Sequence, residues 1–317
     1  MKNNSEELFV RRMKKLLGDD FESYWKTIDK PFKKSIRVNT LKISPSELKK
    51  RLEKRGWKIS QPFKNHEEMM IIESDLMPGE LGRSMEHLLG YYYVQEISSM
   101  LPVIALNPKE GETILDLCAA PGSKTSQIAA KMKNNGTIIA NDVSLGRIRI
   151  LASNLERLGV MNAIITKSDG VNLCRKMKGK FEIDKILLDA PCSGEGTMKN
   201  TKTLTKMWNI KKIKSLSGIQ KRLFTSALEL LKPGGEIVYS TCTFAPEENE
   251  EIVEFILDNF KNVNVEKILL PSEIKCHKGL KEWEGSEFRD ELKYACRIYP
   301  QDSNTEGFFI AKFKKAL

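Results

Sequence analysis

The sequence predicts an α/β fold, a doubly wound and mainly parallel sheet preceded by a small α+β module. Three observations carry this expectation. From residue 113 onward, short runs rich in Ile, Leu and Val alternate with amphipathic helical stretches, the pattern of successive βα units. The first 80 residues differ in style, with one marked helix set between extended segments. The residues able to do chemistry cluster just past the strand runs, where ligands of open α/β sheets bind.

Taken in order, the chain starts with a polar helix over 6–17 and a strand over 35–41. A helix then opens at Ser44 as N-cap, with Pro45 in the first turn and Glu47 completing a capping box. Leu48 and Leu52 share one of its faces, and Gly56 ends it. Trp57, Lys58 and Ile59 read as extended. Residues 81–110 read as a connector with a helix that includes Tyr91 to Glu96. Strands are expected at 113–118, 137–141, 162–166, 184–189 and 236–241, with helices over 145–158 and 215–231 and a last strand over 307–313. The expected units are an N-terminal module at 1–85, a helical connector at 86–110 and a large domain at 111–317.

Composition narrows the function class. A chain of 317 residues with 40% hydrophobic residues can bury a sizeable core. No apolar run approaches the roughly 20 residues of a membrane helix, and the N-terminus lacks a signal-like apolar segment. A soluble, cytoplasmic monomer without membrane association is expected. Lys and Arg number 52 against 42 Asp and Glu, a net charge of +10. Residues 196–222 carry Lys199, Lys202, Lys206, Lys211, Lys212, Lys214, Lys221 and Arg222 and no acid. Such a stretch is either a solvated helical face or a surface that meets phosphates. The six cysteines show no C-x-x-C pair and the three histidines no ligand spacing. Neither a disulfide framework nor a metal site is therefore expected.

Four motifs sit at predicted strand ends. Asp116-Leu117-Cys118-Ala119-Ala120-Pro121-Gly122-Ser123-Lys124 runs from a strand into a helix. Its small residues let a ligand approach the backbone and a helix N-terminus. It is neither a Walker loop nor a dinucleotide fingerprint. Asp142 and Asp169 close the next two strands. Each alone is commonly a loop cap, but together they suit a nucleoside, the first at the ribose and the second near an exocyclic amine. Asp189-Ala190-Pro191-Cys192-Ser193-Gly194 and Ser240-Thr241-Cys242-Thr243 then put a cysteine past each of two strands.

With these motifs in order, the chain resembles the Sun-type RNA cytosine-C5 methyltransferases. Supporting stretches are Arg37-Val38-Asn39, Tyr93-Val94-Gln95-Glu96, Arg147 through Asn154 with Arg157, and Gly307-Phe308-Phe309. The resemblance spans about residues 35–317. It implies a Rossmann-like class I methyltransferase domain with a mixed, mainly parallel seven-stranded sheet, and an N-terminal module that helps hold RNA. It implies S-adenosylmethionine as cofactor, cradled by Cys118, Ala119, Ala120, Pro121, Gly122, Ser123 and Lys124. Asp142 would take the ribose and Asp169 the adenine side, with Arg147 beside the site. Lys124 would face either the cofactor or the target base. Asp189 would face the base, Cys242 would be the nucleophile, and Cys192 would assist product release. The RNA partner is expected to be transfer RNA, with ribosomal RNA second.

The chemistry accounts for these residue types. Cytosine C5 is a weak nucleophile until a thiolate adds at C6 and turns the ring into an enamine. A carboxylic acid near N3 would help that addition, a role assigned to Asp189 if burial raises its pKa. The base must also leave its stack to enter the pocket. No further RNA-binding domain is evident, so the N-terminal module and the catalytic face must supply the grip. One departure stands out: where the family often has Pro-His, this chain has Pro300-Gln301. Two other classes stay open, an amino-group methyltransferase in which Cys242 is idle, and an RNA-binding scaffold.

Overall fold

The computed structural model describes residues 3–198 and 208–317, so Lys199, Lys202, Lys206 and Met207 lie outside the described residues. Helices α1 (Asn3–Leu17) and α2 (Phe21–Trp25) lead into strand β1 (Lys34–Val38). Helix α3 (Pro45–Lys54) follows, capped by Ser44, whose side chain accepts from Glu47 N at 3.2 Å. Leu48 and Leu52 are fully buried on its inner face. Strands β2 (Ile59–Ser60), β3 (Met69–Ile72) and β4 (Tyr92–Val94) complete a sheet ordered β2-β3-β1-β4. Its core gathers Ile36, Val38, Trp57, Met70 and Tyr92.

Here the structure corrects one reading. Tyr91 to Glu96 do not belong to a helix: Tyr92–Val94 pairs antiparallel with β1, Arg37 opposite Tyr93. Aromatic and β-branched side chains favour such a half-buried strand. The helix begins only at Ile97, as α4 (Ile97–Leu106), and buries Met100, Leu101 and Val103 against the large sheet. The expected connector over 86–110 thus divides between the two sheets.

The large sheet follows the predicted alternation. Strands β5 (Thr113–Asp116), β6 (Thr137–Asp142), β7 (Ala163–Lys167), β8 (Ile183–Asp189) and β9 (Leu231–Thr241) run parallel in the order β7-β6-β5-β8-β9. Between them lie α5 (Ser123–Lys131), α6 (Leu145–Leu158), α7 (Gly170–Met177) and α8 (Ile210–Leu230), with α9 (Glu250–Asn259) following β9. Strand β10 (Val263–Glu266) comes next; β11 (His277–Lys278), β12 (Glu282–Trp283), β13 (Ser286–Glu287) and β14 (Cys296–Ile298) precede the last strand, β15 (Phe308–Lys315). Strand β15 lies antiparallel to β9, and β10 pairs with it to complete the seven expected strands. Strands β14 and β11 extend the edge to nine. Alternation at period 2 sends Ile186, Leu188 and Tyr239 to the face covered by α8 and α9. It sends Leu187 and Val238 to the face covered by α4 and α5.

Two placements were not visible in the sequence. Helices α1 and α2 leave the N-terminal sheet and pack on the large domain: Phe9, Met13, Phe21 and Tyr24 share a core with Trp208, Ile213 and Phe244. Contrary to expectation, Cys276 and Cys296 form a disulfide, their Cα atoms 5.4 Å apart. The antiparallel β11–β14 pair sets Lys278 opposite Cys296, and this long-range register is what brings cysteines separated by 20 residues together. Among the described residues, no helix is long and apolar enough to cross a membrane.

Candidate active site

The C-terminal ends of β5, β8 and β9 define the cleft. Past β5 the chain turns sharply: Ala119 N donates to Asn141 O at 2.7 Å and Gly122 N to Ala119 O at 2.8 Å. Gly122 caps α5 with φ +103°, and a Cβ there would press on Leu151 Cδ1 at 3.0 Å. Only glycine meets both conditions easily. The turn frames a cavity of about 320 Å³ lined by Asp116, Cys118 through Pro121, Ser123, Lys124 and Asp189 on one side. Tyr93 and Val94 of the N-terminal sheet, with Gln95 and Glu96 just past it, line the other.

Asp116 is sealed in the floor of this cavity. Its Oδ2 accepts from Thr125 Oγ1 at 2.7 Å, and its Oδ1 has no partner among the described residues. Burial pushes its pKa up to about 7, with the charges of Asp189 and Asp142 adding to the rise. Burial also pushes the Cys118 thiol well above its ordinary range. Arg37 enters from the N-terminal sheet: it donates to Gln95 Oε1 and Ser123 O, and to Ser126 Oγ at 2.7 Å. Its guanidinium is buried, which lowers its pKa to about 9. Sequence reading noted Arg37 without giving it a task; it braces the first turn of α5 against the smaller sheet.

The two acids after β6 and β7 differ. Asp142 is buried; its Oδ1 accepts from Ser144 N at 2.9 Å and its Oδ2 pairs with Arg147 at 3.0 Å. Arg147 also donates to Ala120 O, tying Asp142 to the β5 turn. Asp169 is exposed and caps α7, accepting from Asn172 N at 3.0 Å. It does not line the cavity.

Asp189 and the two cysteines come together as their strand register requires, since Asp189 lies opposite Ser240. Asp189 Oδ2 accepts from Lys124 Nζ at 2.8 Å and Oδ1 from Ser240 Oγ at 2.7 Å. Ser99 accepts from the same lysine at 3.0 Å, and the Phe308 ring lies 5.4 Å from its Nζ. Both Asp189 oxygens are thus engaged by donors, one of them in an ion pair with Lys124. Lys124 faces both the cavity and Asp189. Cys192 Sγ and Cys242 Sγ lie 3.1 Å apart, both half-buried and both free, and Cys242 N donates to Cys192 Sγ at 3.3 Å. The Cys242 hydrogen bond, followed by burial, raises the Cys192 pKa well above its usual value.

A second layer holds these loops. Ser193 Oγ and Thr243 Oγ1 are 2.7 Å apart. Glu195 accepts from Thr243 Oγ1, Phe244 N and Trp208 Nε1. Trp208 therefore packs and does not offer a stacking face: it is buried, edge-on to Phe9 at 5.9 Å. Gly307 N donates to Gly196 O, and Gly196 N to Cys242 O. Gln301 is buried at its amide, without a partner among the described residues. Asp116, Ser99 and Ser240 were missed as site residues. Asp116 opens the motif that runs into α5 and Ser240 the one that holds Cys242, so both could have been found; Ser99 comes from α4, which no motif marks.

Comparison with known proteins agrees with this geometry. The 16S rRNA methyltransferase RsmB/F family matches residues 103–314, and the N-terminal domain of 16S rRNA methyltransferase RsmF matches residues 6–97. The chain is 44% identical to the tRNA (cytosine(49)-C(5))-methyltransferase of Pyrococcus abyssi, over 96% of this chain and 95% of that one. It is 38% identical to the ribosomal RNA small subunit methyltransferase F of Vibrio campbellii, but spans only 63% of that protein's length. A methyltransferase homolog from Pyrococcus horikoshii superposes with a TM-score of 0.85 at 40% identity, covering 97% of this chain and 94% of the other. NSun6 of the same organism, solved with SFG, gives 0.81 at 27% identity over 97% of each chain. The chain therefore belongs to the RsmB/F family of methyltransferases, the Sun-type RNA cytosine-C5 enzymes that its strand-end motifs resemble.

Proposed function

We propose that the protein methylates carbon 5 of a cytosine in transfer RNA, using S-adenosylmethionine and a covalent bond between Cys242 and the base. The observation that carries this reading is the pair of free thiols 3.1 Å apart beside the Lys124–Asp189 ion pair. An amino-group methyltransferase has no use for such a pair.

The residues fit the cofactor. Small side chains at 118–120 keep the cradle open, the Asp116 Oδ1 lacks a partner among the described residues, and Asp142 stands at the end of β6. Residues 118–124 would hold the methionine part and Asp142 the ribose, with Arg147 setting Asp142 and Asp169 nearest the adenine side. When bound, the cofactor supplies an electrophilic methyl group on a sulfonium. The relative solved with SFG, an analogue of this cofactor, supports the same reading.

Cys242 as thiolate bonds to C6 of the flipped cytosine, and the electron pair of the C5=C6 bond moves toward N3. Lys124 donates at the ring edge while Asp189 accepts from the exocyclic amine. After C5 has taken the methyl group, its proton passes to a water molecule in the cleft; the pair from that C–H bond restores C5=C6, and the C6–S bond breaks to return the Cys242 thiolate. Cys192 assists this release directly or through water. The exposed lysines of α8, Lys211, Lys212 and Lys214, suit phosphates near the cleft.

The 44% identity to a tRNA cytosine-49 enzyme supports tRNA as substrate. The RsmF matches support ribosomal RNA as the second reading. Bisulfite sequencing of total RNA, with and without the protein, separates them: tRNA cytosines are expected to lose protection when it is removed. Loss confined to ribosomal RNA would select the second reading. Unchanged 5-methylcytosine in both would end the proposal.

A further inference from the structure

Four consecutive buried polar residues, Glu247 to Glu250, follow the Cys242 loop. Burial on this scale is costly unless every group is partnered. The outer two make ion pairs: Glu247 with Arg12 at 2.7 Å, and Glu250 with Arg297, which also donates to Phe244 O. The middle two turn to the thiol loops. The Glu248 carboxylate accepts from Ser193 N at 3.0 Å and from Gln220 Nε2 at 2.8 Å, and Gln220 also donates to Pro191 O at 2.9 Å. The peptide groups on both sides of Cys192 are thus tied to one carboxylate. Asn249 Oδ1 accepts from Thr241 Oγ1 at 2.6 Å, and its Nδ2 donates to Thr243 O at 3.0 Å. The residues on both sides of Cys242 are thus tied to one amide. Tyr239 donates to Glu248 O and anchors the pair to β9.

We propose that Glu248 and Asn249 are positioning residues with divided tasks: Asn249 sets Cys242 for bond formation at C6, and Glu248 sets Cys192 for release. The assignment rests on the covalent reading of the two thiols. A general stabilising role would slow both steps together, whereas divided positioning separates them.

The test follows the denaturation-resistant protein–RNA adduct in single turnovers. In the Cys192→Ala protein, adding Asn249→Asp, which keeps the acceptor but loses the donor, is expected to slow adduct formation by about tenfold or more. Adding Glu248→Ala to Cys192→Ala should leave that rate within about threefold, since no thiol remains for it to place. With Cys192 present, Glu248→Ala should accumulate adduct about tenfold above wild type, and Glu248→Gln, which keeps an acceptor oxygen, should recover part of the release rate. Cofactor binding and thermal unfolding identify any variant that fails to fold, and Asn249→Ala and Glu248→Gln then stand in for it. Parallel slowing of adduct formation by Asn249→Asp and Glu248→Ala in the Cys192→Ala protein overturns the assignment. A Cys192→Ala protein that forms no adduct overturns the covalent reading and this assignment with it.

Discussion

Asp116 lies under the cavity with one oxygen bonded to Thr125 and the other unpartnered among the described residues. Its pKa rises from 3.8 to about 7 because burial disfavours the charge; Asp189 and Asp142 add to the rise, while Thr125 and Lys124 oppose it. Between those two values the folded protein binds more protons than the unfolded chain. The stability it contributes is complete below 3.8 and is lost as pH rises through about 7, at about 1.4 kcal/mol per unit of displacement. Asp116→Asn should flatten that decline in a pH series of thermal unfolding and weaken cofactor binding. A pH–stability profile identical to wild type would show that the site is not as dry as described. The thiols themselves were legible in the sequence, because two adjacent parallel strands with matched ends bring Cys192 and Cys242 together. The groups that hold Asp189 and Lys124 were legible only in part: Ser240 opens the Cys242 motif, whereas Ser99 is an ordinary serine until α4 packs on the sheet.

Among the elements, those with local signatures were read closely. Helix α3 follows its N-cap and apolar face, and α6 spans Leu145–Leu158, the expected range. Strand β4 was misread because three tyrosines carry no clear period, and only pairing with β1 decides their state. Arg37, on β1, donates to the buried side chains of Gln95 and Ser126 and to the Ser123 carbonyl. Arg37→Met should cost about 2–3 kcal/mol by leaving those acceptors unpaired and should weaken cofactor binding through the α5 turn. Ser44→Ala, which removes only a surface cap, should cost about 1 kcal/mol and leave methyl transfer unchanged. Equal effects of the two on cofactor affinity would contradict the bracing role.

Across the whole molecule, the N-terminal residues serve two surfaces. The small sheet closes one side of the cavity, while α1 and α2 cover Phe244 and Trp208 behind the Cys242 loop. Nothing local announces the second contact, because it joins residues more than 190 positions apart. Phe9→Ala should destabilise the fold by about 3–5 kcal/mol and slow reaction at Cys242 more than it weakens cofactor binding; the reverse order would contradict support of the Cys242 loop by α1. The most direct measurement is the mass of the RNA-linked peptide from Cys192→Ala protein incubated with substrate RNA and cofactor. The account predicts a methylated cytidine joined to the peptide carrying Cys242, and no conjugate from Cys242→Ala. A conjugate on any other residue, or full methylation by Cys242→Ala, would contradict it.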